Sequence, residues 1–92
     1  MQRLPRKIKI GKEDWSIRVH KSCYGLYAGL TLRAKKDIIV FKDVHNPDDP
    51  FELFGTLAHE ILHARNGGLS EKAVTETETA LVSIARAVFG RG

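Results

Sequence analysis

The chain has 92 residues, 42% of them hydrophobic and 28% charged. That length and balance point to one globular domain spanning 1–92 with a modest core, and exclude a second domain or a low-complexity chain. The single cysteine, Cys23, excludes an internal disulfide and fits a reducing compartment, and no apolar run approaches the ~20 residues of a membrane span. The basic start Met1-Gln-Arg-Leu-Pro-Arg-Lys7 leads into no signal-peptide apolar region, so a cytoplasmic protein is expected. The net charge is +4. It gathers at Arg3, Arg6, Lys7, Lys9 and Lys12, and again at Arg33, Lys35, Lys36 and Lys42. Aromatic residues do not interleave with these groups as a base-stacking platform requires, so solvated, protected strand edges are favoured over a nucleic-acid surface.

Lys7 to Ile10 and Trp15 to His20 alternate apolar and polar residues on either side of Gly11-Lys-Glu-Asp14, which predicts a β-hairpin with one buried face. Tyr24 to Arg33 contains Gly25 and Gly29 and reads either as a bulged strand or as a loop ending in a strand from Leu30. Ala34-Lys-Lys-Asp37 turns the chain. Asp37 to Lys42 is the strongest strand, β-branched and bounded by charges. Val44 to Pro50 is a loop.

Asp49, Pro50 and Glu52 make a helix start: a capping side chain, a proline suited to the first helical position, and a capping-box-like carboxylate. This helix should run to about Arg65, where Asn66-Gly67-Gly68 stops it. Ser70 caps a second helix, from Glu71 to about Phe89, ended by Gly90. Strands first and helices after them predict an α+β fold, with three to four mainly antiparallel strands followed by two helices.

The chemistry concentrates in His59-Glu60-Ile61-Leu62-His63. Residues four apart share a helix face, so both imidazoles point one way, a spacing that lets them hold one Zn²⁺ at about 2.0–2.1 Å each. Glu60 then lies beside a water on that ion, where its carboxylate takes a proton and later returns it to a leaving group. Leu57, Ile61, Phe54, Ala58 and Leu62 cover one apolar arc, the face expected to pack on the core, and the histidines project from the other side.

Catalytic zinc usually has three protein ligands, so one more is needed. The second helix offers Glu71, Glu76 and Glu78. Its inward stripe is expected to be Val74, Leu81, Ala85 and Val88; Glu78 falls near the centre of that stripe and Glu76 nearly opposite. A buried carboxylate is costly unless paired or bound to metal, which selects Glu78 as the third ligand and Glu76 as the reserve.

The order of elements, the stretch Thr56-Leu-Ala-His-Glu-Ile-Leu-His-Ala64 and a second helix with an inward glutamate resemble the minimal zincin metallopeptidases. That group includes small phage-encoded proteins and, more distantly, the SprT-like and ImmA/IrrE-like proteins. The resemblance implies a zincin-like fold, zinc bound by His59, His63 and Glu78, and Glu60 as catalytic base. It also implies a peptide or protein substrate, with the strand Asp37 to Lys42 as the edge on which it pairs. Tyr24, Tyr27, His45 and Arg86 are candidates for stabilising the oxyanion. Two other classes stay open: a non-catalytic zinc-stabilised module that binds nucleic acid or a protein, and a metal hydrolase of non-peptide amides or esters.

Overall fold

The computed structural model describes residues 4–21 and 27–90. Four strands, β1 (Lys7–Ile10), β2 (Glu13–His20), β3 (Gly29–Leu32) and β4 (Asp37–Phe41), precede α1 (Pro50–Arg65) and α2 (Glu71–Phe89). Gly11, at φ 65°, opens the tight turn between β1 and β2, a backbone region that side chains with a β-carbon avoid. The sheet order is β1-β2-β4-β3, antiparallel except for the parallel pair β2 and β4. The fold is α+β, with a mixed, mostly antiparallel sheet followed by two helices.

The place of β4 corrects one expectation. The strand Asp37–Phe41 is interior, flanked by β2 and β3, and is not an edge on which a peptide can pair. Its sequence explains this: Ile38, Ile39, Val40 and Phe41 are all buried, so both of its faces need cover, which suits a central strand. Lys42 belongs to a short 3₁₀ turn, Lys42–Val44, and not to the strand. The two edges among the described residues are β1 and β3.

The core forms where α1 lies on the sheet. Ile10, Trp15, Ile38 and Ala64 are buried together, with Ile8, Leu57 and Ile61 packed against them. Leu57, Ile61 and Ala64 follow helical spacing and Trp15 alternates with its neighbours, so the two periodicities meet in one cluster. The cap and the proline of α1 are as expected: Asp49 accepts a hydrogen bond from the backbone N–H of Phe51, and Pro50 is the first helical residue. Glu52 instead accepts from the N–H of Asn46 and closes no capping box. Ser70 likewise accepts from the N–H of Ala73 at the start of α2.

α2 packs on α1. The contacts climb both helices in opposite directions: His63 with Glu71, His59 with Glu78, Gly55 beside Val82, and Asp49 with Arg86. The stripe facing α1 is therefore Val74, Glu78, Val82 and Ala85. Val74 and Ala85 are buried as expected, but Leu81 and Val88 are 38% and 61% exposed. The whole line is rotated from the purely apolar arc, and at Gly55 it comes close to α1. A β-carbon on Gly55 would stand 3.0 Å from both Glu78 Oε2 and Val82 Cγ2.

Candidate metal centre

His59 and His63 project from α1 toward α2 as the four-residue spacing requires. Their Nε2 atoms are 3.2 Å apart. Two ligand atoms about 2.05 Å from a common ion at a tetrahedral angle are ~3.3 Å apart, so the imidazoles already have the required separation. The carboxylate of Glu71 closes the group: Oε1 is 2.5 Å from His59 Nε2 and Oε2 is 3.1 Å from His63 Nε2. One ligand atom from each of His59, His63 and Glu71 falls within 4.8 Å of the others. This is a group that could hold a metal ion. The Glu71 side chain is 68% exposed, so it is free to swing outward by the ~0.8 Å that the tetrahedral separation requires.

Glu78, selected by the helical stripe, does reach the site, but it meets the other side of His59. Its Oε1 lies 2.8 Å from His59 Nδ1. An Nδ1–H donating to that carboxylate leaves the Nε2 lone pair aimed at the shared point, as metal-binding histidines require. Glu76 is exposed and joins neither contact. The expected stripe sets Glu78 against Glu76 and gives Glu71 no place. Two clues in the sequence could have found it. A loop of only Asn66 to Ser70 forces antiparallel helices, which brings the first turn of α2 beside His63. Glu71 and Glu78 are also seven residues, about two turns, apart and share a face.

The charges around His59 fit a cation. Burial disfavours a charged imidazole, but the hydrogen bond to Glu78, with the charges of Glu71 and Glu60, outweighs burial and raises its pKa above the ordinary histidine value. Carboxylates crowding two imidazoles favour a positive charge between them.

Glu60 turns away from α2 and toward β3. It is 8% exposed, and Thr31 donates its hydroxyl hydrogen to Glu60 Oε1 at 2.6 Å. Gly29 makes room: a β-carbon there would stand 2.8 Å from Thr56 Cγ2 and 3.0 Å from Glu60 Cγ. Arg33, the next residue of the same alternation, donates from Nη1 to the carbonyls of His63 and Ala64 at 2.8 and 2.7 Å. Gly29, Thr31 and Arg33 thus turn one face toward α1, the period of two that a strand imposes.

Between β3 and the two helices lies an open cleft of about 650 Å³, whose lining includes His59, Glu60, His63, Glu71 and Glu78. It runs from Tyr27 along the backbone of β3 to Arg33 and Gly67. Of the residues considered for the oxyanion, Tyr27 lines this cleft. His45 does not: its Nδ1 is 2.9 Å from the carbonyl of Phe41 and its Nε2 is 2.7 Å from Thr56 Oγ1, which ties the end of β4 to α1. Arg86 pairs with Asp49 and lies over the Phe51 ring, remote from the histidines. Tyr24 and Cys23 lie outside the described residues. Much of the basic surface is locally paired: Lys9 with Asp14, Arg18 with Asp37, and Lys36 with Glu13. No described helix is long and apolar enough to cross a membrane.

No protein-family model, curated protein or solved structure matches the chain.

Proposed function

We propose that the chain is a zinc-dependent metallopeptidase, with His59, His63 and Glu71 as the metal ligands and Glu60 as the general base. The observation that carries this reading is the convergence of three ligand atoms within 4.8 Å, beside a buried carboxylate in the H-E-x-x-H spacing. Three protein ligands leave a position for solvent, whereas structural zinc sites usually have four. Zinc held there supplies a Lewis acid and makes water acidic enough to ionise near neutral pH.

The protein's own groups do the rest. Thr31 occupies Oε1 of Glu60, leaving Oε2 to accept a proton from the attacking water and return it to the leaving amine nitrogen. Glu78 fixes the His59 ring with Nε2 toward the ion. Glu71 replaces Glu78 as the proposed ligand because it faces both Nε2 atoms, and Glu78 faces Nδ1 of His59. The substrate track moves from β4 to β3, the edge strand whose backbone borders the cleft and on which an extended peptide can add as a further strand.

The test is Glu60→Gln in the zinc-loaded protein. Gln can still accept the Thr31 hydrogen bond but cannot act as a base. Zinc content should be unchanged and hydrolysis of a broad peptide library should fall by about 10²–10⁴-fold. Undiminished cleavage by the variant sinks the mechanism. Cleavage by the wild type of small amides or esters but of no peptide would move the activity to the non-peptide class.

A further inference from the structure

Resting on the metallopeptidase reading, we infer that Arg33 is a specificity residue that selects substrates carrying a carboxylate at the Arg33 end of the cleft. Several observations converge on it. Arg33 lines the cleft and, among the described residues, is the only lysine or arginine that does. It follows β3 directly, so a peptide lying along Gly29–Leu32 runs toward it.

Its guanidinium is held in place. Nη1 donates to the carbonyls of His63 and Ala64, at the end of the helix that carries the two histidines. A β-carbon on Gly67 would be 3.4 Å from Cζ, Nε and Nη1 alike, which puts Gly67 over the flat face of the group. The edge formed by Nε and Nη2 has no hydrogen-bond partner among the described residues. Glu13, whose pKa is lowered mainly by its hydrogen bonds with Lys36 and the Trp15 indole and only last by the charge of Arg33, is held by those two residues.

A guanidinium held through one nitrogen, with its two-donor edge unpaired among the described residues, matches the two oxygens of a carboxylate. Elsewhere the cleft wall is acidic, with Glu60, Glu71 and Glu78 around the metal position. A carboxylate is therefore welcome at the Arg33 end and at the ion, and disfavoured in between. The carboxylate has two sources, an acidic side chain or the C-terminus of the peptide, which the test separates.

The experiment is an NMR titration of the zinc-loaded protein, read at the Arg33 Nε–H resonance. The Glu60→Gln form is used so that peptide is not consumed. The probes are acetyl-tetra-alanine with a free C-terminus, the same peptide as its amide, and amides with one alanine replaced by glutamate at each position in turn. One of the carboxylate-bearing sets should shift the resonance and bind about five-fold more tightly than the plain amide, and Arg33→Lys should erase most of that margin. The set that responds identifies the source. Equal responses to amide and carboxylate peptides, or an unmoved Arg33 resonance with all of them, would overturn the inference. Neither readout depends on cleavage, so a protein that binds these carboxylates at Arg33 yet hydrolyses nothing would contradict the peptidase reading alone. Arg33 also ties down the end of α1, so the comparison among peptides on unaltered Arg33 stands even where a variant folds poorly.

Discussion

The two helices are nearly equal in length and opposite in situation. Of the 16 residues of α1, only Pro50, Glu52, Phe54 and Arg65 are exposed; of the 19 in α2, only Ala73, Val74, Glu78, Val82 and Ala85 are covered. α1 lies between sheet and helix, and its faces divide the work. Leu57, Ile61 and Ala64 fill the core, Glu60 meets Thr31 of β3, and His59 and His63 face α2. α2 is an outer layer that supplies two carboxylates and leaves Leu81, Ile84, Val88 and Phe89 in solvent. The difference teaches that groups needing a fixed direction sit where packing holds them from both sides. Glu71, the third member of the candidate group, sits on the helix that can give way.

Removing a ligand from α1 should break the pairing most severely. His63→Ala is expected to lower zinc affinity on the order of a thousandfold, measured by competition with a chromophoric chelator. Glu78→Gln, on the α2 side, should cost only about 10–100-fold, because it loosens the orientation of His59 and leaves the ligand set intact. Stability should divide the helices in the same sense. Ile61→Ala, against the core, should cost about 2 kcal/mol in denaturant unfolding, whereas Ile84→Ala, at 61% exposure, should stay within about 0.5 kcal/mol.

The smallest effect is in pH. The folded-state pKa of His59 is raised, so in chelator its contribution to stability is full below the ordinary imidazole value and is lost as pH rises through the raised one. In excess zinc the slope should reverse, since protons then compete for the ligand nitrogens. Unfolding curves across pH 5–8 under both conditions check the sign.

The order of elements and both helix caps were legible because they depend on neighbours in sequence: Asp49 and Ser70 cap where they stand. The histidine pair was legible for the same reason, being one helical turn apart. What depends on tertiary placement was not. Strand pairing put β4 inside the sheet through a parallel contact with β2, skipping β3, which lies between them only in sequence, and no local pattern records such a partner. That Glu71 faces Nε2 of both histidines and Glu78 faces Nδ1 of His59 follows from where α2 crosses α1. Gly55 leaves room at that crossing: a β-carbon there would stand 3.0 Å from Glu78 Oε2, whose carboxylate reaches Nδ1 of His59. An apolar stripe calculated for an isolated helix misses such a rotation, as the exposure of Leu81 and Val88 shows. The Thr31–Glu60 contact joins residues 29 positions apart and was likewise out of reach.

The most direct measurement is zinc stoichiometry and affinity in wild-type protein, Glu71→Ala and Glu78→Ala, side by side. Wild type should bind one ion per chain, Glu71→Ala should lose most of its affinity, and Glu78→Ala should still bind one ion, more weakly than wild type but better than Glu71→Ala. Wild-type protein without stoichiometric zinc, or a site that survives loss of Glu71 and fails without Glu78, would contradict the convergence of His59, His63 and Glu71 on one ion.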